Sequence, residues 1–99
     1  AHKHELGVER RAKRYGLSPF DRMRMLERQG YVCAICRKPF NYSSKNGEHT
    51  DHDHNTGVAR GMLCGPCNMG LGSFRDSSDN LLRAAEYLST STQSLLPAG

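Results

Sequence analysis

The four cysteines of this 99-residue chain fall as two C-x-x-C pairs, Cys33/Cys36 and Cys64/Cys67, and nothing else in the sequence constrains the fold as tightly. Two such pairs supply four thiolates, the ligand set of a closed tetrahedral structural zinc site. The spacing suits a metal better than disulfides, and free thiols fit the reducing interior of a cell. Composition explains why a staple is needed. With 36% hydrophobic residues and no Trp, the chain cannot build a deep apolar interior. Structural zinc contributes an apparent binding free energy of about 10–16 kcal/mol near neutral pH, comparable to the whole stability of a small domain. The metal-free chain is therefore expected to be unfolded. A redox dithiol is the other use of such pairs, and thiol titration of the folded protein separates the two.

The interval between Cys36 and Cys64 is 27 residues, more than the roughly 15–20 of a simple zinc ribbon, so something is built inside the loop. That insert carries His49-Thr50-Asp51-His52-Asp53-His54, five metal-ligating or proton-transferring groups in six residues. With zinc satisfied by thiolates, these side chains are free for other chemistry. Hydrolysis of a phosphodiester needs a hard cation to neutralise charge on the phosphate and a base that works near pH 7. Carboxylates suit the first task and histidine, with an ordinary pKa near 6.5, the second. Asp51 is thus the expected ligand and His52 the expected base. The amide oxygen of Asn68, which directly follows Cys67, completes the set. Strand alternation opposes this: Asp51 and His52 would face opposite sides unless the strand ends, twists or bulges there. Plainer roles stand beside the chemical ones. Asp53 can cap the backbone of Asn55 or Thr56, His49 can be packed or merely exposed, and His54 can orient the turn instead of binding phosphate.

The layout predicts a small α+β domain. A short basic helix from Glu5 to Tyr15 is expected to stop at Gly16. Ser18-Pro19-Phe20-Asp21 combines an N-cap, a proline at the first helical position and an acid three residues on, predicting a helix from Pro19 to about Arg28 with Gly30 as its stop. Tyr31 to Cys36 reads as a strand running into a zinc knuckle, and Asn46-Gly47 as a turn. Glu48–His54 and Val58–Leu63 read as hairpin strands joined at Asn55-Thr56-Gly57. Cys64 to Cys67 forms the second knuckle, and Asn68 opens a helix broken early by Gly70 and Gly72. After a Ser77-Ser78-Asp79 cap, Leu81, Leu82, Ala85 and Leu88 predict an amphipathic helix that closes the core, with a fraying tail from Ser89. The segments are a basic N-terminal part (1–30), a stapled core (31–76) and a closing helix with tail (77–99), all in one domain.

The net charge of +4 resides entirely in residues 1–30, where eight cations (Lys3, Arg10, Arg11, Lys13, Arg14, Arg22, Arg24, Arg28) face four acids; residues 31–99 are balanced at six against six. A basic arm ahead of a neutral half suits a polyanion, because Lys and Arg release counterions from phosphates. A solvated helix face accounts equally well for the charge alone. No run of 18 apolar residues and no secretory h-region is present, which excludes a simple membrane span and fits the cytoplasm of a bacterial or phage-infected cell.

Taken together, Cys33-x-x-Cys36, His49-x-Asp51-His52-Asp53-His54 and Val58-x-Arg60-Gly61-Met62-Leu63-Cys64-x-x-Cys67-Asn68 resemble the phage recombination endonuclease VII family, within the HNH or His-Me-finger nucleases. The resemblance spans roughly residues 31–72. It implies a ββα-metal core with flanking helices, in which a hairpin and a helix hold a divalent ion, magnesium or manganese, while a four-cysteine zinc braces the scaffold. Asp51 and Asn68 would ligate the catalytic ion and His52 would activate water. His49 and His54 fall where the family has histidines that assist at the phosphate, and Arg60 falls where a phosphate contact is expected. Arg10, Arg11, Lys13 and Arg14 would touch the DNA backbone. The chain departs from the best-known members after the asparagine, where Met69-Gly70-Leu71-Gly72 contains no acid.

The function implied is metal-dependent endonucleolytic cutting of DNA by nicking or double-strand cleavage, as a monomer or a homodimer. A non-catalytic zinc module that binds DNA or protein is the main rival. A hydrolase whose histidines hold a second, catalytic zinc is the other, and counting zinc per chain decides between them.

Overall fold

The computed structural model describes residues 2–44 and 47–94, with side chains described for residues 7–44 and 47–90. Asn46 of the expected Asn46-Gly47 turn, and residues 95–99 of the expected tail, lie outside the described residues. Along the chain run α1 (His2–Arg14), α2 (Pro19–Gln29), β1 (His49–His52), β2 (Ala59–Leu63), α3 (Gly65–Ser73) and α4 (Ser78–Ser94). The chain divides into two compact units at Met69/Gly70.

In the first unit the local signals become structure directly. Ser18 caps α2 as a full capping box: its hydroxyl accepts from the Asp21 N–H and the Asp21 carboxylate accepts from the Ser18 N–H, both at 3.1 Å. Those backbone hydrogen bonds hold the Asp21 carboxyl below its ordinary value. Gly30 ends the helix in the left-handed region at φ 72°, a conformation that costs a residue without Cβ little.

β1 and β2 pair antiparallel as a two-stranded sheet, with His49 opposite Leu63, Thr50 opposite Met62 and Asp51 opposite Gly61. The next pair is His52 with Ala59, so Arg60 is an extra residue, a β-bulge at the end of the ladder. The core behind the hairpin is small: Val8 and Ala12 of α1, Leu26 of α2, Cys33, Phe40, and Met62 and Leu63 of β2. Gln29 ties this core to β2 and to the segment that follows α2. Its amide donates to the carbonyls of Val32 and Met62 at 2.8 and 3.0 Å, and its oxygen accepts from the Met62 N–H at 2.8 Å. Gly61 leaves room for this, since a Cβ there would lie 3.1 Å from the Gln29 oxygen.

Two expectations are corrected. Residues 31–36 do not form a strand: Tyr31 sits at φ 61°, and only a single bridge joins Val32 to Pro39, which has no N–H with which to extend a ladder. The helix after the second C-x-x-C opens at Gly65, before Asn68, and runs through Gly70 and Gly72 to Ser73. Each glycine costs about 1 kcal/mol in a helix, too little to end one whose neighbours keep helical geometry. It stops instead where Arg75 and Asp76 adopt φ 53° and 56°. In the second unit, α4 begins as predicted, with Ser77 Oγ accepting from the Asn80 N–H at 3.1 Å. Of its apolar positions, Leu82 and Leu88 are 69% and 71% exposed. Helical periodicity marks which residues share a face, and it carries no information on whether that face is covered.

Candidate active site

The four cysteine sulfurs lie within 4.8 Å of one another, the only group of three or more His, Cys, Asp or Glu side chains among the described residues placed to hold a metal ion. A tetrahedron with metal–sulfur bonds of about 2.3 Å separates its sulfurs by about 3.8 Å. Cys36 and Cys64 are 3.8 Å apart, so the cluster fits such an ion. Two local turns aim the thiols. In the first, Cys33 N–H donates to the Lys38 carbonyl, Arg37 N–H donates to the Cys33 carbonyl, and Arg37 takes φ 66°. In the second, Cys67 lies in the first turn of α3, whose backbone closes from Asn68 N–H to Cys64 carbonyl at 3.0 Å. Burial pushes the Cys33 thiol up, but backbone N–H groups of Cys64, Cys36 and Ile35 outweigh it and bring the thiol down to about 6. Cys67 is pushed up to about 12, by burial first and then by hydrogen bonding within the cluster.

Behind β1 lies a buried network that sequence reasoning missed. Glu48, 1% exposed, accepts two hydrogen bonds from Arg22 at 2.7 Å each and a third from Tyr42 Oη at 2.5 Å. Hydrogen bonding to Glu48 raises the Arg22 pKa further, while burial and then the Glu48 bond push the Tyr42 hydroxyl above its ordinary value. The Glu48 carbonyl accepts from Arg11 Nη2 at 2.8 Å. One residue therefore ties α1, α2 and the loop before β1 to the start of β1. The one sequence signal for it is that Glu48 is the only acid between Glu27 and Asp51.

The Asp/His run lies on the opposite end of the hairpin. Asp51 is paired with Arg60 at 2.7 and 3.0 Å, a bidentate bond from the bulge residue to the strand it opposes. The strand both ends at His52 and bulges opposite it, so strict alternation does not apply at Asp51 and His52. The His52 ring is stacked on Tyr15, 4.0 Å between centroids and 13° between planes, and His54 meets it edge-on at 4.7 Å. Asp53 takes its plainer role. Its carboxylate accepts from the N–H groups of Asn55 and Thr56 at 2.7 and 3.1 Å, which holds its pKa below the usual carboxylate value and shapes the hairpin turn that Gly57, at φ 76°, completes. His49 is half-buried, and burial, then the Arg11 guanidinium, hold its imidazole below its ordinary value.

Asn68 is half-buried in the first turns of α3, one residue after the thiol that anchors that helix. Arg10, Lys13 and Arg14 are exposed on α1, whereas Arg11 is half-buried, with its Nε unpartnered among the described residues.

A model of the recombination endonuclease VII family matches residues 2–90. The chain belongs to that family. Curated relatives of this endonuclease VII family chain include the Gene 59 proteins of Mycobacterium phage L5, 40% identical over 75 residues, and of Mycobacterium phage D29, 39% identical over 79 residues. In both cases the match covers 75% of this chain and 44% of the relative, so the chain spans less than half the length of the curated relatives it matches. Among solved structures it is similar to the ββα-Me type II restriction endonuclease Hpy99I, with 34% identity and a TM-score of 0.54 over 84% of this chain and 48% of that one. The hairpin followed by α3 is thus a ββα-metal core, flanked by α1 and α2. No helix among the described residues is long and apolar enough to cross a membrane.

Proposed function

We propose that this family member is a metal-dependent endonuclease that hydrolyses DNA phosphodiester bonds, by nicking or double-strand cutting, with zinc as the scaffold ion and magnesium or manganese at the active centre. The observation that carries this reading is the bulged end of the hairpin, where a carboxylate, an imidazole and a guanidinium occupy Asp51, His52 and Arg60 directly ahead of a cysteine-anchored helix bearing Asn68. The family match and the likeness to a ββα-Me restriction endonuclease support it. The thiolate cluster suits zinc by donor softness, and the oxygens of Asp51 and Asn68 suit a hard divalent ion. When bound, that ion supplies charge neutralisation at the scissile phosphate.

The rest falls to side chains of the chain. His52 accepts the proton of the attacking water, a contribution of about 10²–10⁴ in rate. Arg60 serves both Asp51 and a phosphate oxygen, for which its planar fork is suited. His54, against the edge of His52, and the half-buried His49 assist at the phosphate. Arg10, Lys13 and Arg14 on the exposed side of α1 grip the DNA backbone, contacts that position without specifying sequence. Arg11 joins them through the charge it retains while bracing the Glu48 carbonyl. Cutting would take place in the cytoplasm of the infected cell.

The test is a supercoiled-plasmid assay with magnesium, manganese, calcium or EDTA. Magnesium or manganese should support cutting and EDTA abolish it, while His52→Ala should remove activity with zinc content and helicity unchanged. Cutting that persists in His52→Ala, or two zinc ions per chain, would overturn the assignment of the base and of the two ions respectively.

A further inference from the structure

The face of α1 that meets the hairpin is set by helical spacing. Val8, Ala12 and Tyr15 recur at i, i+4 and i+7; Val8 and Ala12 are 3% and 0% exposed, and α1 packs on β1. Past Arg14 the helix closes with Tyr15 N–H on the Ala12 carbonyl at 3.1 Å and Leu17 N–H on the same oxygen at 3.0 Å, with Gly16 at φ 86°. This leaves the Tyr15 ring pinned at the end of a helix whose other side bears Arg10, Lys13 and Arg14. The ring lies flat on the imidazole of His52, with planes only 13° apart, while His54 closes a second side.

We propose that Tyr15 is a positioning residue for His52, and that through it the basic helix α1 is part of the active centre as well as a grip for the DNA backbone. The inference rests on the reading of His52 as the base. Its physical reason lies in how an imidazole is oriented. A hydrogen-bond partner would fix the ring by occupying one nitrogen, but among the described residues no hydrogen bond reaches either nitrogen of His52. A face-on aromatic contact, favourable by about 0.5–1.5 kcal/mol beyond area burial, limits rotation of the ring and leaves both in-plane nitrogens available for water and for proton release. His54 touches the ring only edge-on, and the contact on its flat face comes from another element, from Tyr15 at the end of α1.

Two measurements test this, both on the whole chain with its scaffold metal. In proton NMR, the carbon-bound ring protons of His52 should resonate upfield of those of an unstructured histidine, shielded by the Tyr15 ring current. The shift should persist in Tyr15→Phe and vanish in Tyr15→Leu. In plasmid cutting, Tyr15→Leu should lower kcat by roughly 10- to 100-fold with KM within about twofold, and Tyr15→Phe should restore it. Unshifted ring protons in the wild-type chain overturn the proposal, and this measurement decides even if Tyr15→Leu does not fold. A Tyr15→Leu protein that cuts at the wild-type rate, or whose loss is all in KM, also overturns it. A wild-type chain that does not cut under any divalent ion instead removes the functional reading on which the catalytic half of the proposal rests.

Discussion

Two bidentate arginine–carboxylate pairs flank the same short strand, and they differ in almost nothing but burial. Arg22 and Glu48 meet at 2.7 Å with side chains 8% and 1% exposed; Arg60 and Asp51 meet at 2.7 Å with side chains 39% and 13% exposed. The first pair is enclosed by α1, α2 and Tyr42, so its charges have no alternative partner and stay where folding puts them. The second is open to solvent on the arginine side, where water or another anion can take the guanidinium at little cost. Similar bidentate geometry therefore serves as a fixed bolt at the start of β1 and as an exchangeable contact at its end.

The largest test removes what holds both ends. Stripping the scaffold ion with a strong chelator, or Cys64→Ser, should unfold the first unit, since a structural zinc contributes about 10–16 kcal/mol; loss of helical circular dichroism should coincide with loss of bound zinc. Next, Glu48→Ala strands a buried guanidinium and should destabilise by about 3–5 kcal/mol in urea unfolding, whereas the paired change Arg22→Met/Glu48→Leu should recover most of that loss. If the double change is as damaging as the single one, the bolt is more than an electrostatic clamp. At the open pair, Arg60→Gln should shift stability by no more than about 1 kcal/mol while lowering plasmid cutting at least about tenfold; a stability loss equal to that of Glu48→Ala would erase the distinction.

The smallest effect concerns carboxylates held by backbone N–H groups instead of arginine. Asp21 and Asp53 have folded-state pKa values below the ordinary 3.8, so each favours the folded state above that value and ceases to do so as pH falls through its depressed folded value. The urea midpoint should begin to decline below about pH 4, and Asp21→Ala should flatten part of that decline.

What the sequence made legible was local. The Ser18-Pro19-Asp21 start and Gly30 stop of α2, the hairpin with its Asp53 turn, and each C-x-x-C pair by itself are written within a few consecutive residues, and the convergence of the two pairs follows from the four ligands that one ion needs. What it hid was long-range. Arg22 lies 26 positions from Glu48, and Arg11 lies 37 positions from the carbonyl it braces, so neither contact leaves a periodic trace. Tyr15 reads as one more residue at the end of a polar helix until α1 is laid on β1. The same limit explains the exposed Leu82 and Leu88: a stripe was legible and its neighbour was not. For the candidate site, Asp51, His52, Arg60 and Asn68 stand out in the sequence, while the pairing of the carboxylate with the bulge arginine does not.

The extra residue at position 60 splits the hairpin into two segments of different phase. From His49 to Asp51 the ribbon keeps step with the core through Leu63, Met62 and Gly61; beyond that point the count restarts at His52 and Ala59. Lengthening or shortening the loop between residues 53 and 58 should therefore change the tip without slipping the register that sets Asp51 opposite Gly61.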